Sequence, residues 1–103
     1  NEVEISKNQL QQEANIIINA FDEVHRKSSI YTIDYNSDEI IIKPTNSSPI
    51  VFSNSQIDYN LFPLVSGKSI SPNTDQLNIT LVLKSKTNEN VNTTLKSTFN
   101  RLK

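Results

Sequence analysis

The sequence predicts an α+β domain: one long N-terminal amphipathic helix packed on an antiparallel β-sheet of about four to five strands. Three observations carry this. Val3, Leu10, Ile17 and Val24 recur every seven residues, with Ala14 and Phe21 four after Leu10 and Ile17, which gathers all six on one helical stripe. The first 28 residues hold neither Gly nor Pro. Past Ser28 the apolar period drops to two, the period of a half-buried strand.

The helix is expected over residues 1–28. Glu2 and Glu4 near its start and His25, Arg26 and Lys27 near its end suit the helix dipole. No N-cap precedes Val3, so the pattern starts as though in mid-helix, and the reading expects further chain upstream of Asn1. Ala14, Ile17, Phe21 and Val24 should pack on the sheet. Strands follow over 30–52. Tyr31, Ile33 and Tyr35 share one face, Asn36-Ser37-Asp38 is turn chemistry, and Glu39–Lys43 returns as the second arm of a hairpin, stopped by Pro44. Ile50-Val51-Phe52 forms a short third strand. Residues 53–76 read as a variable connection around an apolar knot, Leu61-Phe62-Pro63-Leu64-Val65, which either caps the core or meets a partner. Residues 77–103 form a closing hairpin, turning at 86–90, in which face parity pairs Leu81 with Leu95 and Leu77 with Phe99.

A chain of 103 residues is one domain, 1–103. Its 14 Asn, 13 Ser and 8 Thr displace apolar residues, yet Leu, Ile, Val and Phe still number 31, enough for a small core. Cysteine is absent, which excludes thiol chemistry and cysteine-ligated metals. A single His excludes a multi-histidine metal site, and a single Gly, Gly67, excludes a phosphate-cradling loop. No cofactor is expected.

His25 reads as a polar residue beside the helix stripe; no Ser and carboxylate accompany it in a catalytic pattern, so the chain is not expected to be an enzyme. Asp34, Asp38 and Glu39 flank one turn but lack the longer loop and glycine of an EF-hand; a solvated turn is the simpler reading. Sequons at Asn46, Asn78 and Asn92 occur at the frequency chance gives in so Asn-rich a chain. Charge is uneven: residues 77–103 sum to +4 through Lys84, Lys86, Lys96, Arg101 and Lys103 against Glu89, and residues 1–76 sum to −5. A basic hairpin can contact phosphates or an acidic neighbouring subunit, and the simpler reading is a solvated strand pair.

Gln11-Gln12-Glu13-Ala14-Asn15-Ile16-Ile17 in the helix, Ser29-Ile30-Tyr31-Thr32-Ile33 in the first strand and Leu77-Asn78-Ile79-Thr80-Leu81 in the closing hairpin resemble the soluble part of type IV pilin-like (prepilin-type) minor pseudopilins of the Gram-positive competence and secretion type. The resemblance covers residues 1–43 and 77–103. It implies a structural subunit of an extracytoplasmic pilus-like assembly serving DNA uptake, secretion or adhesion. It also implies other pilin-like subunits as partners and anchoring at the cell surface by a membrane helix upstream of Asn1. Val3, Ile5, Leu10, Leu61, Phe62 and Leu64 are the candidate subunit contacts, and the resemblance implies that Val3 and Ile5 project toward the membrane or neighbours. The alternative is a small extracellular binding module that holds DNA or another polyanion on Lys84, Lys86, Lys96, Arg101 and Lys103.

Overall fold

The computed structural model describes residues 5–100. Among the described residues the chain forms one helix and seven strands in two antiparallel sheets. This corrects the expected architecture: the fold is mostly β, not one long helix on a single sheet of four to five strands. In order the elements are α1 (Lys7–Lys27), β1 (Tyr31–Tyr35), β2 (Glu39–Pro44), β3 (Ile50–Ser53), β4 (Ile57–Phe62), β5 (Lys68–Ile70), β6 (Leu77–Ser85) and β7 (Asn92–Phe99). The outer sheet runs β3-β2-β1-β5 and the helix-bearing sheet β4-β6-β7.

The helix starts at Lys7, later than expected, because Ser6 caps it. Ser6 Oγ accepts from the Gln9 N–H at 3.2 Å, and Gln9 Oε1 accepts from the Ser6 N–H at 2.8 Å, a reciprocal pair that satisfies two otherwise orphaned donors. Ile5 does not project: it is buried in the core. Val3, Glu2 and Glu4 lie outside the described residues. At the other end Ser28 turns extended, its N–H donating to the Val24 carbonyl at 2.8 Å. Leu10, Ala14, Ile17, Phe21 and Val24 are buried, as the stripe requires.

In the first hairpin, Asn36 Oδ1 accepts from the N–H groups of Asp38 (2.7 Å) and Glu39 (3.1 Å), so one side chain closes the turn. That fixes the register, with Ile33 opposite Ile42 and Tyr35 opposite Ile40. Strand β2 continues through Pro44 and pairs with β3. In the closing hairpin Leu81 stands opposite Leu95 and Leu77 opposite Phe99. The odd-numbered residues of β4 and β6 face inward; Ile57, Tyr59, Leu61, Leu77, Ile79, Leu81 and Leu83 are all buried.

The 53–76 connection is the main departure. It contains β4, which adds to β6 (Leu61 opposite Leu81), and β5, which crosses back to β1 (Ile70 opposite Tyr31). Between them Gly67 takes a φ of +88° in a tight turn closed by Lys68 N–H to the Val65 carbonyl, a backbone region that costs residues with a Cβ. The peptide bond between Phe62 and Pro63 is cis.

The helix lies across β6 and β7. Glu13 accepts from the Tyr59 hydroxyl at 3.1 Å, and Phe21 meets Phe99 edge-on with ring centroids 6.5 Å apart. Tyr59 sits opposite Leu83 and Phe99 opposite Leu77, so α1 runs alongside β7 in the same direction. The two sheets are tied where the first hairpin's tip meets the second sheet: Tyr59 N–H donates to the Ser37 carbonyl at 3.0 Å, and Lys86 Nζ meets Asp38 Oδ1 at 2.7 Å. Tyr31, Ile33, Ile40 and Ile42 from the outer sheet join the helix stripe and the inner faces of β4 and β6 in one apolar core.

Candidate functional site

The exposed side of α1 carries amides around one apolar residue rather than charge. Gln12, Asn15, Ile16 and Asn19 lie along its exposed side, three and four residues apart, hence neighbours on one face. Ile16 is 55% exposed. From Asn8 to Phe21 the only charged residue is Glu13, and its carboxylate is engaged by Tyr59. Charge gathers instead in the last turns, as the ion pairs Asp22–Arg26 (3.2 Å) and Glu23–Lys27 (3.0 Å). The Lys27 ammonium lowers the Glu23 carboxyl below its usual range, first by hydrogen bond and then by charge. Depletion of charge around an apolar centre is the composition of interface cores.

The expected subunit contacts divide. Ile5, Leu10, Leu61 and Leu64 are buried among other core residues, and Val3 lies outside the described residues. Leu61 points inward because it shares a face with Ile57 and Tyr59 on β4; the Leu64 carbonyl accepts from the Tyr35 hydroxyl. Only Phe62, 45% exposed on the opposite face of β4, presents a large apolar surface, with Val65 exposed beyond it. Ile16, Val51 and Ile30 are exposed apolar groups that the sequence reading did not single out, whereas Val65 belongs to the apolar knot. For Ile16 the signal was present: it sits one residue from Ile17, about 100° away around the helix.

The basic hairpin is less basic in space than in sequence. Lys84 stands directly opposite Asp58 on β4, and Lys86 pairs with Asp38, whose hydrogen bond raises the lysine's pKa. Lys96 is exposed opposite Thr80, while Arg101 and Lys103 lie outside the described residues. Asp34 is likewise paired, with Lys43, and Asp38 is the Lys86 partner. Among the described residues no three of His, Cys, Asp and Glu gather closely enough to hold a metal ion, and no described helix is long and apolar enough to cross a membrane.

His25 is buried, not beside the stripe but within the packing. Its Nδ1 lies 2.7 Å from the Tyr31 hydroxyl, its ring meets Tyr31 edge-on and rests tilted on Phe99 at 6.3 Å. It therefore pins the helix end to β1 and β7. Burial, and secondarily the Asp75 charge, push the Tyr31 hydroxyl far above its ordinary value. Two shallow clefts flank these elements. One of about 350 Å³ lies between Pro63–Val65 and Thr74–Asn78; the other, about 230 Å³, lies between the helix end and β3, lined by Ala20, Val24, Pro44 and Ile50.

Compared with protein-family models, with curated proteins and with solved structures, the chain has no significant match.

Proposed function

We propose that this chain is a structural assembly subunit, a minor pseudopilin of a pilus-like or pseudopilus system serving DNA uptake, secretion or adhesion. The observation that carries the reading is the charge-free, amide-lined face of α1 centred on Ile16. A solvated helix face commonly carries charge and ion pairs, as the last turns of α1 do; the face between Asn8 and Asn19 does not. Other pilin-like subunits are the partners in this reading, and the domain lies outside the cytoplasmic membrane, anchored by a preceding helix. Because Ser6 caps α1 with an extended backbone, such an anchor meets α1 across a break rather than as one rod.

The test is the segment preceding Asn1 in the full-length protein. The reading expects a basic start, a Gly and ~20 apolar residues, the length that spans a bilayer. A short secretory signal, or an initiator Met directly before Asn1, overturns it. The polyanion reading is less supported, because Lys84 and Lys86 face Asp58 and Asp38.

A further inference from the structure

Among the described residues the outer sheet ends in β3, which pairs with β2 on one side only. Proteins usually blunt such an edge with Lys, a bulge or a covering element. Here residues 45–57 carry no charge at all, and the strand Ile50-Val51-Phe52-Ser53 leaves Val51 53% exposed. Val51 shares the outer face with Ile41, its partner on β2, so the apolar surface continues inward from the edge.

We infer that β3 is a self-association edge: a second copy of this chain adds its own β3 antiparallel, joining the two outer sheets into one eight-stranded sheet about a two-fold axis at Val51. Pairing like this is isologous, with one patch facing itself, and rests on strand addition. The sequence selects the register. With Val51 on the axis, Val51 meets Val51 on the outer face, and each Ile50 meets the second copy's Phe52 on the inner face. Shifting the axis to Phe52 sets Ile50 against Asn54 and Val51 against Ser53, wasting both apolar residues. Shifting by half a residue pairs inner with outer faces, which the pleat forbids.

Two further observations fit this occupant. The cleft of about 230 Å³ beside Ile50, walled by Ala20, Val24 and Pro44 and rimmed by the Glu23–Lys27 ion pair, opens on the inner side of the same edge. The second copy's Phe52, opposite Ile50, has its ring on that side. Charge agrees in direction: β2 carries Glu39 at one end and Lys43 at the other, so the antiparallel arrangement brings unlike ends level and a parallel one like ends. The inference stands apart from the assembly role proposed above, since it needs only this chain.

The experiment is sedimentation equilibrium of the chain across a rising concentration series, with two variants. The wild type is expected to pass from monomer to dimer. Val51→Lys places like charges directly opposite across the axis at an exposed position, and is expected to stay monomeric with an unchanged circular-dichroism spectrum. The chain has no cysteine, so Val51→Cys offers one thiol per copy. Directly opposed residues lie about 4.5–5.5 Å apart at Cα, inside the roughly 4.4–6.8 Å range of disulfides. Mild oxidation of Val51→Cys is expected to give a covalent dimer, and Asn60→Cys, exposed on β4, is not. A wild type monomeric at every concentration overturns the inference. So does a Val51→Lys variant that dimerises as the wild type does, or cross-linking no faster at Val51→Cys than at Asn60→Cys.

Discussion

The two sheets solve the same problem with different resources. The helix-bearing sheet is built from strands of 6, 9 and 8 residues, covered on its inner face by α1. Its outer face is polar apart from Phe62 and Val82: Asp58 faces Lys84, and the Thr98 hydroxyl donates to Asn78 Oδ1 at 2.7 Å. Its free strand β7 carries Lys96 in mid-strand, a guard against edge pairing. The outer sheet has strands of 5, 6, 4 and 3 residues and an unguarded edge. Long strands carry their register in their own alternation. Short ones borrow it, from the Asn36 turn, from Gly67 and from the neighbours they join.

Breaking the first sheet should therefore cost most. Leu81 is buried at the centre of β6, and Leu81→Ala is expected to lose ~2–5 kcal/mol, measured by urea unfolding. Val51→Ala in the other sheet should cost well under half of that, since its side chain is half exposed. Equal losses would erase the distinction.

Alkali should strike both sheets, through Tyr31 on one and Tyr59 on the other. Both hydroxyls are raised above the ordinary 10.0, Tyr31 by burial and then Asp75, Tyr59 by burial and then the Glu13 charge and hydrogen bond. A raised folded-state value means the neutral phenol is favoured by the fold. That stability is fully present below pH 10.0 and is lost as pH rises through the folded-state values. Unfolding midpoints should fall steeply above that point, and Tyr59→Phe should flatten the fall while costing about 1 kcal/mol at neutral pH for the hydrogen bond. An unchanged alkaline slope in the variant would refute the assignment.

Gly67→Ala sharpens the dependence of the outer sheet on its turns. A Cβ there would lie 3.6 Å from Asp34 Oδ1, an ordinary contact, so the expected ~1–2 kcal/mol comes from the positive φ alone. Ser6→Ala should cost about 1 kcal/mol and fray the first turn, seen as faster amide exchange at Gln9 and Leu10. Protection unchanged at both amides would mean that packing, not the cap, sets the start of α1.

The sequence read the helix stripe, both hairpins and the pairing of Leu81 with Leu95, because each follows from local periodicity and parity. The heptad spacing of Val3 predicts an earlier helix start than the Ser6–Gln9 capping box sets. The alternation Ile57, Tyr59, Leu61 has the period of a strand, but it is short and set among Asn, Ser and Pro, which is the composition of a connection. Strand β5 was not legible: three residues with one buried, Ile70, carry no period. Division into two sheets depends on which distant strands meet, which no local pattern encodes. For the same reason Leu61 and Leu64 read as surface candidates and proved to be core.

The order in which the chain visits its sheets has a consequence for how it folds. After β3 it leaves the outer sheet for β4, returns for β5 and leaves again for β6. Neither sheet is a continuous stretch of sequence, so neither can be cut out as a fragment, and the strand β4 emerges before the outer sheet receives its last strand, β5. The β1–β5 pairing joins residues such as Tyr31 and Ile70, and loops that long must close before the contacts repay them. The expected behaviour is a single cooperative transition on the slow side for a domain of this size, with no half-folded species that has one sheet formed.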